Sequence, residues 1–254
     1  MQGYTVYEHP LNERIRTLLR LEHLFRQCRH FIEGKSAWDS RIFIATLIDI
    51  LDIFSRGDMK TELLKELERA TGNLRGLMDI PQVDHNKLGT ILRAMEHLID
   101  NLHGMNAQPG QSLREDDFLT AIRQRSTIPG GTCDFDLPAY HLWLAASYDK
   151  RLQDQRRWLN SLDPVHQAIE LLLKMIRNSA EIRPIRCEQG SYQQQLDNHT
   201  PFQLVRVMLP NDSPYYAEIS GSRHRFTIRF LKPAPQRPAL ADEAVEFRLA
   251  SCSL

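Results

Sequence analysis

The sequence predicts an α+β fold: an N-terminal α-helical bundle domain and a C-terminal antiparallel β-sheet domain, with a short N-terminal strand joining that sheet. Three observations carry this. From Leu11 to about residue 180, apolar residues recur at three- and four-residue spacing, the period of a helix face. Near Ile182 the texture changes to short alternating segments, divided by Gly190, Asn198, Pro201, Pro210-Asn211-Asp212, Gly221 and a Pro-rich 233–238 stretch, which read as an antiparallel meander. Tyr4–Glu8 is β-prone and limited by Pro10, with no nearby partner, so it is assigned to the distant sheet, where it covers an edge and brings the two termini together. The division expected is a strand in 1–10, a helical domain in 11–181 and a β-domain in 182–254.

Taken in order, Leu11, Ile15, Leu18, Leu19, Phe25 and Ile32 define the first amphipathic helix, with Arg16, Arg20 and His23 stacked on one polar face. Trp38–Phe54 is apolar nearly all round and reads as the buried central helix. Gly57 suits the end of that helix and Asp58 the cap of the next, whose Glu62, Lys65, Glu66 and Arg69 are solvated charge pairs. Asp84 caps a helix with Leu88, Ile91, Leu92, Met95, Leu98 and Leu102 inward. A loop at Gly104–Gly110 precedes a helix over Leu113–Arg125. Ile128-Pro129-Gly130-Gly131 then turns the chain sharply, because proline fixes one φ and the glycines admit angles other residues avoid. An apolar segment opening at Pro138 and helices over 149–160 and 163–179, the last with Asp163 as cap and Pro164 at its first position, complete the bundle. Strands are expected at Ile182–Glu188, Phe202–Leu209, Tyr215–Ile219, His224–Leu231 and Ala244–Ser251.

Bulk composition excludes several function classes. Formal net charge is zero, so electrostatic recognition must be local. The N-terminal MQGYTVYEHP lacks the basic and apolar regions of a signal peptide, and the longest apolar run, Ile42 to Ile48, falls far short of the ~20 residues a membrane helix needs. A cytoplasmic protein without membrane insertion is expected. Cys28, Cys133, Cys187 and Cys252 lie far apart and read as reduced thiols. His85, His97 and His103 share no i, i+4 metal spacing, and neither a metal nor a cofactor is expected. Cys133 beside Asp134, with His141 eight residues on, carries no nucleophile signature, and there is no phosphate-binding glycine loop, so no enzymatic activity is expected.

The clearest constellation is the strand Arg223-His224-Arg225-Phe226-Thr227-Ile228-Arg229-Phe230. Alternation sends Phe226, Ile228 and Phe230 to the core and Arg223, Arg225, Thr227 and Arg229 to the other face. From Ile219 through Lys232 there are four Lys/Arg and no acid. Such a strip suits carboxylates, which a guanidinium grips with two hydrogen bonds. Phosphate tracking needs a broader basic surface, which the balanced charge opposes. On the residues alone, the strip either grips an acidic peptide, as in an adaptor, or merely keeps a sheet face solvated, and a nucleic-acid binder using Arg223, Arg225 and Arg229 is the less favoured alternative.

Four blocks, EHPLNERIRTLLRLEHLF (8–25), FSRGDMKTELLKELERA (54–70), the stretch from Leu113 to Leu144 and ISGSRHRFTIRF (219–230), together resemble the ZapD family of bacterial division proteins. The resemblance implies a cytoplasmic homodimer, recruited to the division ring at mid-cell, that binds the C-terminal tail of FtsZ and bundles FtsZ filaments without catalysis. It also implies a basic tail-binding pocket drawing on both domains. Motif by motif, the family's pocket residues match Arg20 in LRxE, Arg56 in FxRG, His141 in LPxxHxW, and Arg225 and Arg229 in RFxIRF; Arg16 and Arg223 are possible extensions. One position departs: after LRED, where family members can carry arginine, this chain has Asp117.

Overall fold

The computed structural model describes residues 3–81 and 83–253. Strand β1 (Tyr4–Pro10) leads into helices α1 (Glu13–Phe31), α2 (Ala37–Phe54), α3 (Met59–Arg75), α4 (His85–Gly104), the single turn α5 (Gln111–Arg114), α6 (Asp117–Ser126), α7 (Pro138–Ala145), α8 (Tyr148–Asn160) and α9 (Asp163–Asn178). Strands β2 (Arg183–Cys187), β3 (Ser191–Gln195), β4 (Phe202–Pro210), β5 (Tyr216–Gly221), β6 (Arg225–Lys232), β7 (Ala239–Leu240) and β8 (Val245–Ser253) follow. The chain is α+β, as its patterning predicts. Contacts divide it into two units: Arg20–Leu172, and the residues up to Leu19 together with those from Leu173 onward.

In the helical unit, α2 is the centre, touching α6, α7 and α8. It starts with a capping box, Ser36 and Asp39 each accepting the other's backbone N–H. Phe43, Ile44, Leu47, Ile50 and Leu51 are fully buried, but Trp38 and Ile42 point outward, so the apolar character all round the helix includes an exposed stripe. The helix closes on Ser55 rather than at Gly57, and Asp58 caps α3 by accepting from Thr61 N–H. The α3 and α4 helices run antiparallel: Lys60 at the start of α3 donates to the Met105 carbonyl beyond α4, and Arg75 at its end pairs with Glu96 at 2.6 Å.

The single helix expected over Leu113–Arg125 is two. Asp116 accepts from Leu119 N–H and so starts a new helix at Asp117, while the Thr120 hydroxyl donates to the Arg114 carbonyl left open by the break. The corner after α6 turns as expected, with Gly130 at φ +74°, and a side chain at Gly131 would stand 2.5 Å from the Arg125 carbonyl oxygen. Arg151 is buried with no carboxylate partner among the described residues. Its guanidinium donates to Ser40 Oγ and to the carbonyls of Lys35, Leu144 and Ala146, tying α8 to the start of α2 and to the end of α7, where the helix dipole is negative.

The other unit is a β-sandwich. One sheet has the order β1-β4-β8-β2 and the second β3-β6-β5, with β7 beside β6. Val205, Val207 and Leu209 of β4, Phe226, Ile228 and Phe230 of β6, and Val245, Phe247 and Leu249 of β8 fill the space between them. Two expectations need correction. The strands do not form one meander, because β4 lies between β1 and β8, both distant in sequence; β3 and β7 were also missed, being short and polar or only two residues long. Nor do the first and last described strands bring their chain ends together. Tyr4 lies opposite Pro210 and Ser253 opposite Phe202, so the ends sit at opposite ends of β4, roughly 27 Å apart along the strand.

One carboxylate ties strand β1 to both β4 and α9. Glu8 lies across from Arg206 in the β1–β4 register. Arg177 of α9 grips it with two bonds, Nε to Oε1 at 2.8 Å and NH2 to Oε2 at 2.7 Å, and Arg206 Nε donates to Oε1 at 2.9 Å. Arg206 also donates to the Arg177 carbonyl at 3.4 Å, and Ser253 N–H to Ser179 Oγ at 3.0 Å. Burial alone would raise the Glu8 pKa, but the bonds and charges of Arg177 and Arg206 outweigh it and hold the group below its ordinary 4.5. The stabilisation is therefore complete above the unfolded-state value near 4.5 and is lost as pH falls through the lower folded value. Glu8→Gln leaves two arginines facing each other without their anion and should cost about 3 kcal/mol at pH 7. Denaturant titrations at pH 7 and pH 3 should show a smaller penalty at pH 3; an equal penalty would show that the charge of Glu8 does not hold β1.

Candidate functional site

The alternation on β6 is as expected from Arg225 onward. Phe226, Ile228 and Phe230 are fully buried, with Phe230 packed 4.8 Å from Phe247, while Arg225 and Arg229 are exposed and Thr227 half-buried on the opposite face. Arg223 is not on that face of the strand. Ser222 N–H donates to the Arg225 carbonyl at 2.9 Å, so Ser222–Arg225 is the β5–β6 turn and Arg223 occupies its tip. His224, also in the turn, is tied through Nδ1 to Asn198 Oδ1 at 2.6 Å.

The hairpin also brings in an acid. Glu218 on β5 pairs in register with Arg229, and its carboxylate lies 3.6 Å from the guanidinium, with both side chains about half exposed. Arg223 and Arg225 have no side-chain partner among the described residues. An open hollow of about 380 Å³ lies beside Arg225, lined also by Gln193, Ser220, Ser222 and Thr227. It is a polar, cationic surface backed by a rigid apolar layer, suited to carboxylates approaching from solvent. Sequence reasoning missed the neutral polar wall from β3: Ser191, Gln193 and Gln195 sit across from Arg229, Thr227 and Arg225 on this face. The weak alternation in SYQQQ was its only signal.

The other predicted residues occupy separate elements. Arg16 on α1 pairs with Glu13 at 3.1 Å. Arg20 on α1 and Arg56 after α2 are exposed, with no side-chain partner among the described residues. His141 on α7 already faces a carboxylate, with Nδ1 3.0 Å from Asp134 Oδ1. Arg41 bonds the same oxygen at 3.2 Å and the Thr132 carbonyl at 2.9 Å, while its guanidinium lies over the rings of Trp38 and Tyr140. Around this cluster Trp38, Phe135 and Leu142 are 73%, 85% and 74% exposed. Asp117 stands exposed in the first turn of α6, where a negative charge suits the helix dipole. The Cys133 thiol donates to Asp136 at 3.2 Å. Among the described residues no group of three or more His, Cys, Asp and Glu side chains could hold a metal ion, and no helix is long and apolar enough to cross a membrane.

The sequence matches a family model described as ZapD, cell division protein, over residues 19–229. It is 42% identical over 255 residues to the cell division protein ZapD of Methylococcus capsulatus, covering 100% of both chains. The protein of the same name from an Azoarcus species is 36% identical, covering 98% of this chain and 99% of its own. That from an Enterobacter species is 38% identical, covering 99% and 100%.

The two faces of β6 should separate in a stability measurement. Phe226→Ala should cost about 3–5 kcal/mol in chemical denaturation through the cavity it leaves. Arg225→Ala, on the exposed face, should shift stability by less than about 0.5 kcal/mol. A comparable loss from both would mean that Arg225 is part of the packing.

Proposed function

The chain belongs to the ZapD family of cell division proteins, and we propose that it acts in division by binding the C-terminal tail of FtsZ and cross-linking FtsZ filaments. One observation carries the reading: Arg225, with no side-chain partner among the described residues, stands on a packed sheet beside Arg229 and an open polar hollow. A guanidinium held out by a packed strand with no acid of its own is preorganised for a carboxylate from elsewhere. Arg225 is the primary anchor of an acidic tail. Arg229 is the second anchor, exchanging its 3.6 Å contact with Glu218 for the tail. Arg20, Arg56 and His141, with Arg16 and Arg223 as extensions, are further tail contacts, each to be tested singly.

Bundling needs two tail sites in one particle, which a homodimer supplies, and weak sites repeated along a filament add avidity. The exposed Trp38, Phe135 and Leu142 support self-association: a two-fold interface needs a self-complementary patch, and large apolar side chains beside the Arg41–Asp134 pair can supply one. On this reading the protein works in the cytoplasm, recruited to the mid-cell ring.

Arg225→Glu should weaken binding of an FtsZ tail peptide by at least ~30-fold and abolish co-sedimentation with FtsZ polymer, while leaving the thermal transition in place. Tailless FtsZ should fail to pellet the wild-type chain, and raising salt from 0.05 to about 0.5 M should weaken tail binding. Wild-type pelleting by the Arg225→Glu variant would remove the site from β6. Leu142→Glu should convert a dimer to a monomer by light scattering, and an unchanged mass would place the dimer contact elsewhere. His141→Ala distinguishes the two uses of that residue, lowering tail affinity at unchanged mass if it contacts the tail.

A further inference from the structure

Strand β3, at one edge of the second sheet, has an open main-chain edge at Gln193 and Gln195 among the described residues. Phe230 N–H donates to the Gly190 carbonyl and Leu196 N–H to that of His224, both at 2.8 Å. With the register Tyr192↔Ile228 and Gln194↔Phe226, the even-numbered residues of β3 face β6. The N–H and C=O groups of Ser191, Gln193 and Gln195 therefore point away from the sheet. The Ser191 carbonyl accepts from the Cys187 thiol at 3.0 Å, whereas among the described residues no bond reaches the outer main chain of Gln193 or Gln195. All three residues are exposed.

This edge also lacks the usual protection. Proteins blunt exposed edges with proline, charge or bulges. The opposite sheet ends on β2, with Arg183, Pro184 and Arg186, and on β1, with Glu8 and Pro10. Strand β5 carries Glu218 and has Gly221 packed closely against Leu11 and His9. Strand β3 is Ser-Tyr-Gln-Gln-Gln, uncharged, without proline and in unbroken register.

We propose that the acidic peptide docks as an added strand on β3, its main chain bonded to Gln193 and Gln195 and its carboxylates reaching Arg225 and Arg229. A strand added there lies two strand spacings from β6, about 10 Å. An extended arginine and an aspartate or glutamate side chain span that distance across Gln193. Arg225 and Arg229 are four residues apart on one face, so the fitting segment carries acids at i and i+4, both on the same side of an extended chain. The main chain supplies affinity and the alternate side chains supply selectivity, as in other strand additions. This deepens the proposed function and rests on it.

The test titrates the full-length protein with the FtsZ tail peptide, unmodified and N-methylated at each successive backbone position, and repeats the unmodified titration on Gln193→Pro and Arg225→Glu. Expected are a loss of tenfold or more for Gln193→Pro and an N-methyl sensitivity that alternates along the peptide. If Gln193→Pro binds within twofold of wild type while Arg225→Glu does not bind, the arginine face stands and strand addition is overturned. If both bind like wild type, the tail site itself is not on this sheet. Should Gln193→Pro fail to fold, the N-methyl series on the wild-type protein decides: alternation supports strand addition, and indifference at every position overturns it.

Discussion

The grip of Arg177 and Arg206 on Glu8 joins the first strand of the chain to a helix residue 169 positions later and to a strand residue 198 positions later. Without it, β1 is a seven-residue edge segment with an open register and Pro10 in its ladder. With it, three elements share one carboxylate, and a one-residue slip would carry Glu8 to the wrong face of the sheet. The desolvation cost of burying these charges is offset only because every polar atom of the carboxylate is bonded and one arginine grips it with two parallel bonds. The return is specificity of register as much as stability.

That anchoring matters at β6 because the two sheets share one core. Val207 and Leu209 face inward from β4 and meet Phe226, Ile228 and Phe230 from β6. A strand whose inner residues are fully buried cannot rotate, so its outer residues are held at fixed spacing. Arg225 and Arg229 gain their orientation from the packing of the phenylalanines on the opposite face of the strand. The energetic separation of the faces is sharp: the inner face is worth several kcal/mol per side chain, whereas the outer one contributes little to folding and is available for recognition. The helical unit shows the same separation on α2, where the inner residues fill the bundle and Trp38 and Ile42 are left outside.

Long-range pairing dominates the sandwich. The β1–β4 and β4–β8 pairs close loops of tens to hundreds of residues, so the sheet cannot form from local contacts alone. The helical unit is different. Its caps at Ser36, Asp58, Asp84, Asp116 and Ser147 act within three residues of where they stand, and its α3–α4 pair is local.

The sequence by itself determined what is decided locally: the helix and strand periods, the caps at Asp58 and Asp84, the Gly130 turn, and the split of β6 into an apolar and a basic face. These follow from side-chain spacing and backbone sterics within a few residues. The resemblance carried by the four blocks was legible for a related reason, since each block is a continuous run. Only the tertiary structure decided which strands are neighbours, and with that the candidate site. It set Glu218 opposite Arg229, moved Arg223 into a turn, left Arg225 without a side-chain partner among the described residues and placed the uncharged edge of β3 beside it. Those facts depend on register between segments far apart in sequence, and no local period encodes a register. The same holds for His141, whose carboxylate partner Asp134 is set by the fold of the corner before α7, and for Arg41, which reaches that carboxylate from a helix 93 residues earlier.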